Sequence, residues 1–403
     1  MTQVNCRLVP TLTAMDLSIG QSSLLPPMNV SPKQSESKVL SFRGSAPSAP
    51  AGSLNHNRVV YSQSRVSNHT TRQSARRLPS EPDRTLDAPG FTNDYYLNLI
   101  DYSKSNVLAV GLANAVYLWN GSTGSVSELC VLPEGDSVCS VQWTACGSHL
   151  AIGTDSNVVK LWDVEKQRQV RTLRGHAGRV SSLSWNNHIL SSGSRDCSII
   201  NHDVRVAQHI SSTFNYHQGE ICGLAWSHDG TQLASGSNDN HLCLWNLDSA
   251  SPQHILTDHQ AAVKAVAWAP FQRNLLATGG GTADRTIKMW NTATGKLLDS
   301  VDTESQVCSI VWSQNSRELI SSHGYRNNEI NVWKYPSMVK VGQMKGHTAR
   351  VLNLALSPDG ETLVSAAADE SIQFWKAFEQ KEKSFNNDVS HAQRGALRGM
   401  AIR

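Results

Sequence analysis

The chain has 403 residues, 39% of them apolar, and its 36 Lys and Arg against 33 Asp and Glu leave a net charge of +3. That near balance excludes a general polyanion-binding surface, so nucleic acid is not an expected partner. No apolar run approaches the ~18 residues of a membrane span, and the first twenty residues lack the apolar core of a secretory leader, so no membrane partner is expected either.

Residues 1–83 differ in kind from the rest of the chain. They hold 15 Ser and 8 of the 14 Pro, none of the 11 Trp, and only Phe42 and Tyr61 as aromatics. With so little to bury, this stretch is expected to be a disordered Ser/Pro-rich arm. From residue 84 onward, short β-branched runs alternate apolar with small or polar residues, separated by turn clusters such as "SHDG", "SPDG" and "GSND". That pattern predicts short strands rather than helices.

Two sets of runs recur. One ends at Trp143, Trp185, Trp226, Trp268 and Trp312, with Leu356 in sixth place. The other ends at Trp119, Trp162, His202, Trp245, Trp290, Trp333 and Trp375, in steps of 43, 40, 43, 45, 43 and 42. Four short strands per repeat of roughly 40–45 residues, with Gly-His upstream and Trp at a strand end, mark the blades of a β-propeller. The prediction is an all-β, seven-bladed WD40 propeller over 84–376, with a short flexible tail over 377–403. His176 and His347, with His217 and His259 as variants, are expected to bond a turn Asp two strands later (His176 to Asp196, His347 to Asp369). Buried polar groups need partners, so these histidines read as structural rather than catalytic or metal-binding.

A ring of blades has to close. The last recognisable strand ends at Trp375 and the sequence beyond it is polar, so the missing strand is expected from the "RTLDAP" run ahead of the first blade. Joining both chain ends in one blade covers edges that would otherwise invite pairing. It also places Asp87 beside the last blade.

Eight cysteines form no CxxC pair, and most sit in runs such as "VCSVQW" as small buried hydrophobes, which fits a reducing, intracellular setting. The chain has no HExxH, no GxxxxGK[ST], no Cys/His ligand cluster and no nucleophile elbow. The Gly run "ATGGGTADRT" at 277–286 stands where a sister repeat reads "ASGSNDNH", and no helix N-terminus with a Lys directly after the glycines follows it, so it reads as a turn and not a phosphate loop. No catalytic residue, metal or cofactor is expected; the best reading is a recognition scaffold.

The stretch "RRLPSEPDRTLDAPGFTNDYYLNLIDYS" at 76–103, followed by "HDVRVA", "VKAVAWAP", "LLATGGGTADR" and "GHTARVLNLALSPDG", resembles the fizzy family. These WD-repeat proteins are substrate-recruiting co-activators of the anaphase-promoting complex, a ubiquitin ligase. The resemblance covers residues 76–376, and "NDYYLNL" is closer to the fizzy branch than to the fizzy-related one. It implies a nuclear and cytoplasmic protein of the mitotic or meiotic cell cycle. Its partners would be ligase subunits, degron-bearing cell-cycle substrates and spindle-checkpoint proteins.

The same resemblance implies site residues. Asp87 and Glu370 match the carboxylates that take the Arg of a destruction box. Asn238, Asn240, Thr282, Gln306 and Arg350 match positions that read a Lys-Glu-Asn degron, with Arg350 facing its Glu; turn propensity competes as an explanation for the two Asn. Ile402 and Arg403 are similar to the family's C-terminal docking tail. Lys38, Val39 and Leu40 resemble a ligase-docking motif, with Ser41 where the family has Arg. Arg58, Val59, Val60 and Tyr61 resemble the segment held by a checkpoint protein. In the N-terminal docking box, Arg7, Val9 and Pro10 match, while Cys6 and Leu12 replace an Asp and an Arg. Losing one charge-assisted hydrogen bond costs ~1.5–3 kcal/mol. The alternative reading is therefore a propeller that binds degrons or checkpoint proteins without activating the ligase.

Overall fold

The computed structural model describes residues 78–326 and 328–378. Among these there are 28 strands and no helix, arranged as seven four-stranded antiparallel sheets. The sheets are the seven blades expected from the Trp spacing. Blades 1 to 6 span 100–131, 138–173, 180–215, 221–256, 263–302 and 307–344. Blade 7 joins the three strands of 351–376 to the strand Arg84–Asp87, which pairs antiparallel with Ser371–Lys376, Asp87 opposite Ser371. The ring therefore closes where the edge argument put it. The packed body runs slightly past the expected boundary: Ala377 and Phe378 are buried in the core of blades 6 and 7.

Strand composition follows position in a blade. The second strand lies between neighbouring blades and is buried on both faces, as in Leu275–Gly280, whereas the outer Lys296–Asp302 is mostly exposed. Close blade packing explains the small residues of the second strands. A Cβ at Gly279 would sit 2.4 Å from Val307 of the next blade, and one at Gly236 would sit 2.2 Å from the Val263 carbonyl.

Polar networks staple four blades. Trp245 Nε1 donates to Ser235 Oγ at 2.8 Å, Ser235 meets His217 Nε2 at 2.8 Å, and His217 Nδ1 meets Asp239 at 3.0 Å. An indole N–H only donates, so the Ser hydroxyl accepts it and gives its own proton to His, whose other N–H serves the carboxylate. The expected pairs His176–Asp196 (3.0 Å) and His347–Asp369 (3.1 Å) form, as does His259–Asp284. Blade 6 has no such upstream His; there His323, on the second strand itself, meets the Ser321 hydroxyl at 2.7 Å.

Blade 3 replaces the Trp by His202, whose Nε2 lies 2.8 Å from Ser192 Oγ and whose Nδ1 lies 2.9 Å from His209 Nδ1. Burial first, then the neighbouring His209, His176 and Arg171, pull His202 down to about 3. A folded pKa below the ordinary 6.5 supplies stability that is complete above 6.5 and is lost as pH falls toward 3. His202→Gln, neutral throughout, should therefore close its stability gap to wild type by up to ~1.4 kcal/mol per pH unit below 6.5. Urea titrations at pH 7.5 and 5 measure this; a gap independent of pH would contradict it.

Candidate functional site

Ring closure builds the first part of the site. The Ala88 N–H donates to the Glu370 carbonyl at 2.7 Å, so Asp87, at the end of its strand, and Glu370, in the turn before Ser371–Lys376, stand side by side, both exposed. Beside them a cleft of about 540 Å³ opens between blades 7 and 1, walled by Val110, Leu112, Tyr117, Trp119 and Ile372, with Asp87 at its lip. A carboxylate pair next to an apolar wall suits a ligand that carries a cation and an aliphatic side chain.

Glu370 has φ +59°, the left-handed region, and the equivalent turns place Asn157 at +66°, Cys197 at +70°, Asn240 at +69° and Arg285 at +57° there. Asn tolerates that conformation through its short side chain, whereas Glu does not favour it. Turn geometry thus accounts for Asn240 without any ligand. Glu370, like Cys197 and Arg285, stands there without that tolerance.

The second part lies across the central channel. In six blades the innermost strand carries a β-bulge at the same point: Val138/Ser140, Val180/Ser182, Ile221/Gly223, Val263/Ala265, Val307/Ser309 and Val351/Asn353. The extra residues Cys139, Ser181, Cys222, Lys264, Cys308 and Leu352 form a collar at one end of the channel, as bulges do where a chain must be re-aimed. A strap, residues 93–98, sits on this collar. Asn98 donates from its backbone N to the Cys139 carbonyl at 3.1 Å and from Nδ2 to the Ser181 and Cys222 carbonyls at 2.8 and 3.0 Å. The Tyr95 hydroxyl donates to the Val307 carbonyl at 3.1 Å, and burial pushes that phenol well above its usual range. Lys264 Nζ donates to the Leu352 carbonyl at 3.0 Å beneath the Tyr95 ring, and burial pulls its ammonium down to about 8.

The residues matched to a Lys-Glu-Asn reader lie on the face the strap crosses. Asn238 is exposed and accepts a hydrogen bond from the Tyr96 hydroxyl of the strap at 2.9 Å. Arg350 is bonded to Asn93 at the strap's other end. Gln306 is buried, and with Arg350 it flanks Gly324, where a Cβ would meet Gln306 Oε1 at 3.0 Å and Arg350 Cβ at 3.2 Å. Thr282 is exposed in a blade 5 turn, and no hydrogen bond joins it or Asn240 to the other members among the described residues. Sequence reasoning missed the strap residues themselves, although they stood within the "NDYYLN" run that carried the resemblance.

Arg7, Val9, Pro10, Lys38, Val39, Leu40, Arg58, Val59, Val60, Tyr61, Ile402 and Arg403 lie outside the described residues. Among those that are described, no three His, Cys, Asp or Glu are grouped as a metal site would require. No helix there is long and apolar enough to cross a membrane.

Comparison with known proteins gives a consistent result. The family described as the CDC20/Fizzy WD40 domain matches residues 86–375. The chain is 55% identical over 357 residues to the anaphase-promoting complex subunit cdc20 of Dictyostelium discoideum, covering 86% of this chain and 72% of that protein. It is 49% identical over 374 residues to Cell division cycle 20.1, cofactor of APC complex, of Arabidopsis thaliana, covering 89% and 80%. With Protein FIZZY-RELATED 3 of the same plant it shares 53% identity over 303 residues, 75% of this chain but 63% of that one. A chain in the crystal structure of a mitotic checkpoint complex matches with a TM-score of 0.75 at 46% identity, covering 85% of this chain and 99% of that chain.

Proposed function

Because the chain belongs to the CDC20/Fizzy family, we propose that it is a substrate-recruiting co-activator of the anaphase-promoting complex, holding degrons of cell-cycle proteins on its propeller. The observation that carries this reading is the Asp87–Glu370 pair, with Asp87 at the lip of the apolar cleft between blades 7 and 1 and Glu370 beside it. The guanidinium of a destruction box would bond the carboxylates. Its Leu, three residues or ~10 Å of extended chain away, would enter the cleft. A Lys-Glu-Asn degron would lie along the strap, its Glu on Arg350 and its amide near Asn238 and Gln306. In this reading the chain does no chemistry itself; it raises the local concentration of substrate lysines near a ubiquitin-charged enzyme. It works in nucleus and cytoplasm, and checkpoint proteins would bind Arg58–Tyr61 of its arm.

The degenerate docking box favours a second reading, a degron-binding propeller that does not activate the ligase. A reconstituted ubiquitination assay with a destruction-box substrate separates the two. Wild type is expected to be active and to lose at least about fivefold without Ile402-Arg403, one ion-pair contact being worth roughly that or more. Silence of wild type, with activity gained on Cys6→Asp plus Leu12→Arg, would establish the second reading instead.

A further inference from the structure

The residues that precede the bulged strands occupy equivalent positions around the channel mouth, and two of them are arginines. Arg179 is fully compensated: Nε and Nη2 bond the Glu220 carboxylate at 2.7 and 3.0 Å, and Nη1 bonds Asp94 of the strap at 2.9 Å. Arg350, its counterpart across the ring, meets the preceding strap residue, Asn93, which is neutral. Its Nε donates to the Asn93 side-chain oxygen, and Nη2 donates to the Asn93 carbonyl at 2.8 Å. The guanidinium lies 5.1 Å over the ring of Tyr325. No carboxylate pairs with Arg350 among the described residues.

We propose that Asn93 and Tyr325 are positioning residues that hold Arg350 as a preset, uncompensated fork for the carboxylate of a Lys-Glu-Asn degron; the proposal rests on the functional reading above. A guanidinium has five N–H donors. Asn93 engages two along one edge, and the Tyr325 ring covers one face. Three donors remain on the far side in a fixed plane, the arrangement that matches a carboxylate with two parallel bonds. Two carboxylates, Glu220 and Asp94 of the strap, hold Arg179 in the structure, whereas the strap's carboxamide at Asn93 orients Arg350 while leaving the charge free. Preorganisation of this kind lowers the ordering cost of a long side chain at binding.

The test uses the full chain with two labelled peptides, one carrying Lys-Glu-Asn and the other Lys-Gln-Asn, and a destruction-box peptide as a control for folding. Wild type should prefer the Glu peptide by about tenfold. Asn93→Ala and Tyr325→Ala should each weaken the Glu peptide by about fivefold and shift the Gln peptide less than about twofold. Asn93→Asp, nearly isosteric, should weaken the Glu peptide more than the Ala variant does, because it compensates Arg350 in place. An unchanged Glu-to-Gln ratio in all three variants, with wild type discriminating normally, would overturn the positioning role alone. Failure of wild type to bind either peptide, or indifference of binding to Arg350→Ala, would overturn the functional reading and this proposal with it.

Discussion

Glu370→Asn should cost binding and not stability. An Arg-x-x-Leu peptide is expected to bind the variant about tenfold to a hundredfold more weakly, the loss of a charge-assisted bond worth ~1.5–3 kcal/mol. Its unfolding midpoint should stay level or rise. Glu370 sits at φ +59° in a turn whose equivalents carry Asn157, Cys197, Asn240 and Arg285. The left-handed conformation costs an ordinary L-residue ~1–2 kcal/mol, a penalty Asn largely avoids. Cys197 and Arg285 bear the same penalty in their own turns, so what points to a ligand at Glu370 is its place next to Asp87 and the blade 7–1 cleft. Peptide anisotropy and urea melts on the same preparation settle the matter. Unaltered affinity would remove Glu370 from the site, and a drop in both would make it a structural residue.

The largest effect on stability is expected at Trp245. This residue is fully buried, its ring stacks on Phe214 at 4.6 Å and 4°, and its N–H ends the network through Ser235 and His217 to Asp239. Trp245→Ala should cost ~3–5 kcal/mol by opening a cavity in blade 4. Trp245→Phe keeps the stack but deprives Ser235 of its donor, a loss of ~1–3 kcal/mol. Trp119 supplies the control. Its Nε1 is buried without a partner among the described residues, so Trp119→Phe removes an unpaired polar atom and should cost less than ~1 kcal/mol. Denaturant unfolding of the three variants checks the order, and equal costs for the two Phe substitutions would sink the network argument.

The contrast between these tryptophans shows which parts of the fold a sequence can display. Blade number was legible because each blade needs its own Trp-position residue at one strand end, and the spacing of those residues survives even where His202 substitutes. Closure was legible because an unpaired edge strand is a physical problem with one available donor, the run holding Asp87. The strap was not. Residues 93–98 have neither a period of 2 nor one of 3.6, since their partners come from six different blades. The bulges were invisible for a related reason: one extra residue per strand does not disturb the pattern of "VCSIVW" or "VKAVAW", yet it decides that Lys264 and Cys308 face the strap. His323 escaped because it serves its blade from within instead of from the upstream turn. For Asn240 the sequence offered both a degron contact and turn propensity, and its φ of +69° supplies the turn explanation.

The strand Arg84–Asp87 pairs with residues about 290 positions later in the chain. During synthesis it leaves the ribosome first and waits for its partner until the last blade has emerged, while blades between them can form from local hairpins. The carboxylate pair, the cleft beside it and the seat of the strap are all completed by that final event. A chain ended before Ser371 would carry nearly every blade and still lack the proposed degron surface, so in this molecule competence to bind there would report that the last blade has been made.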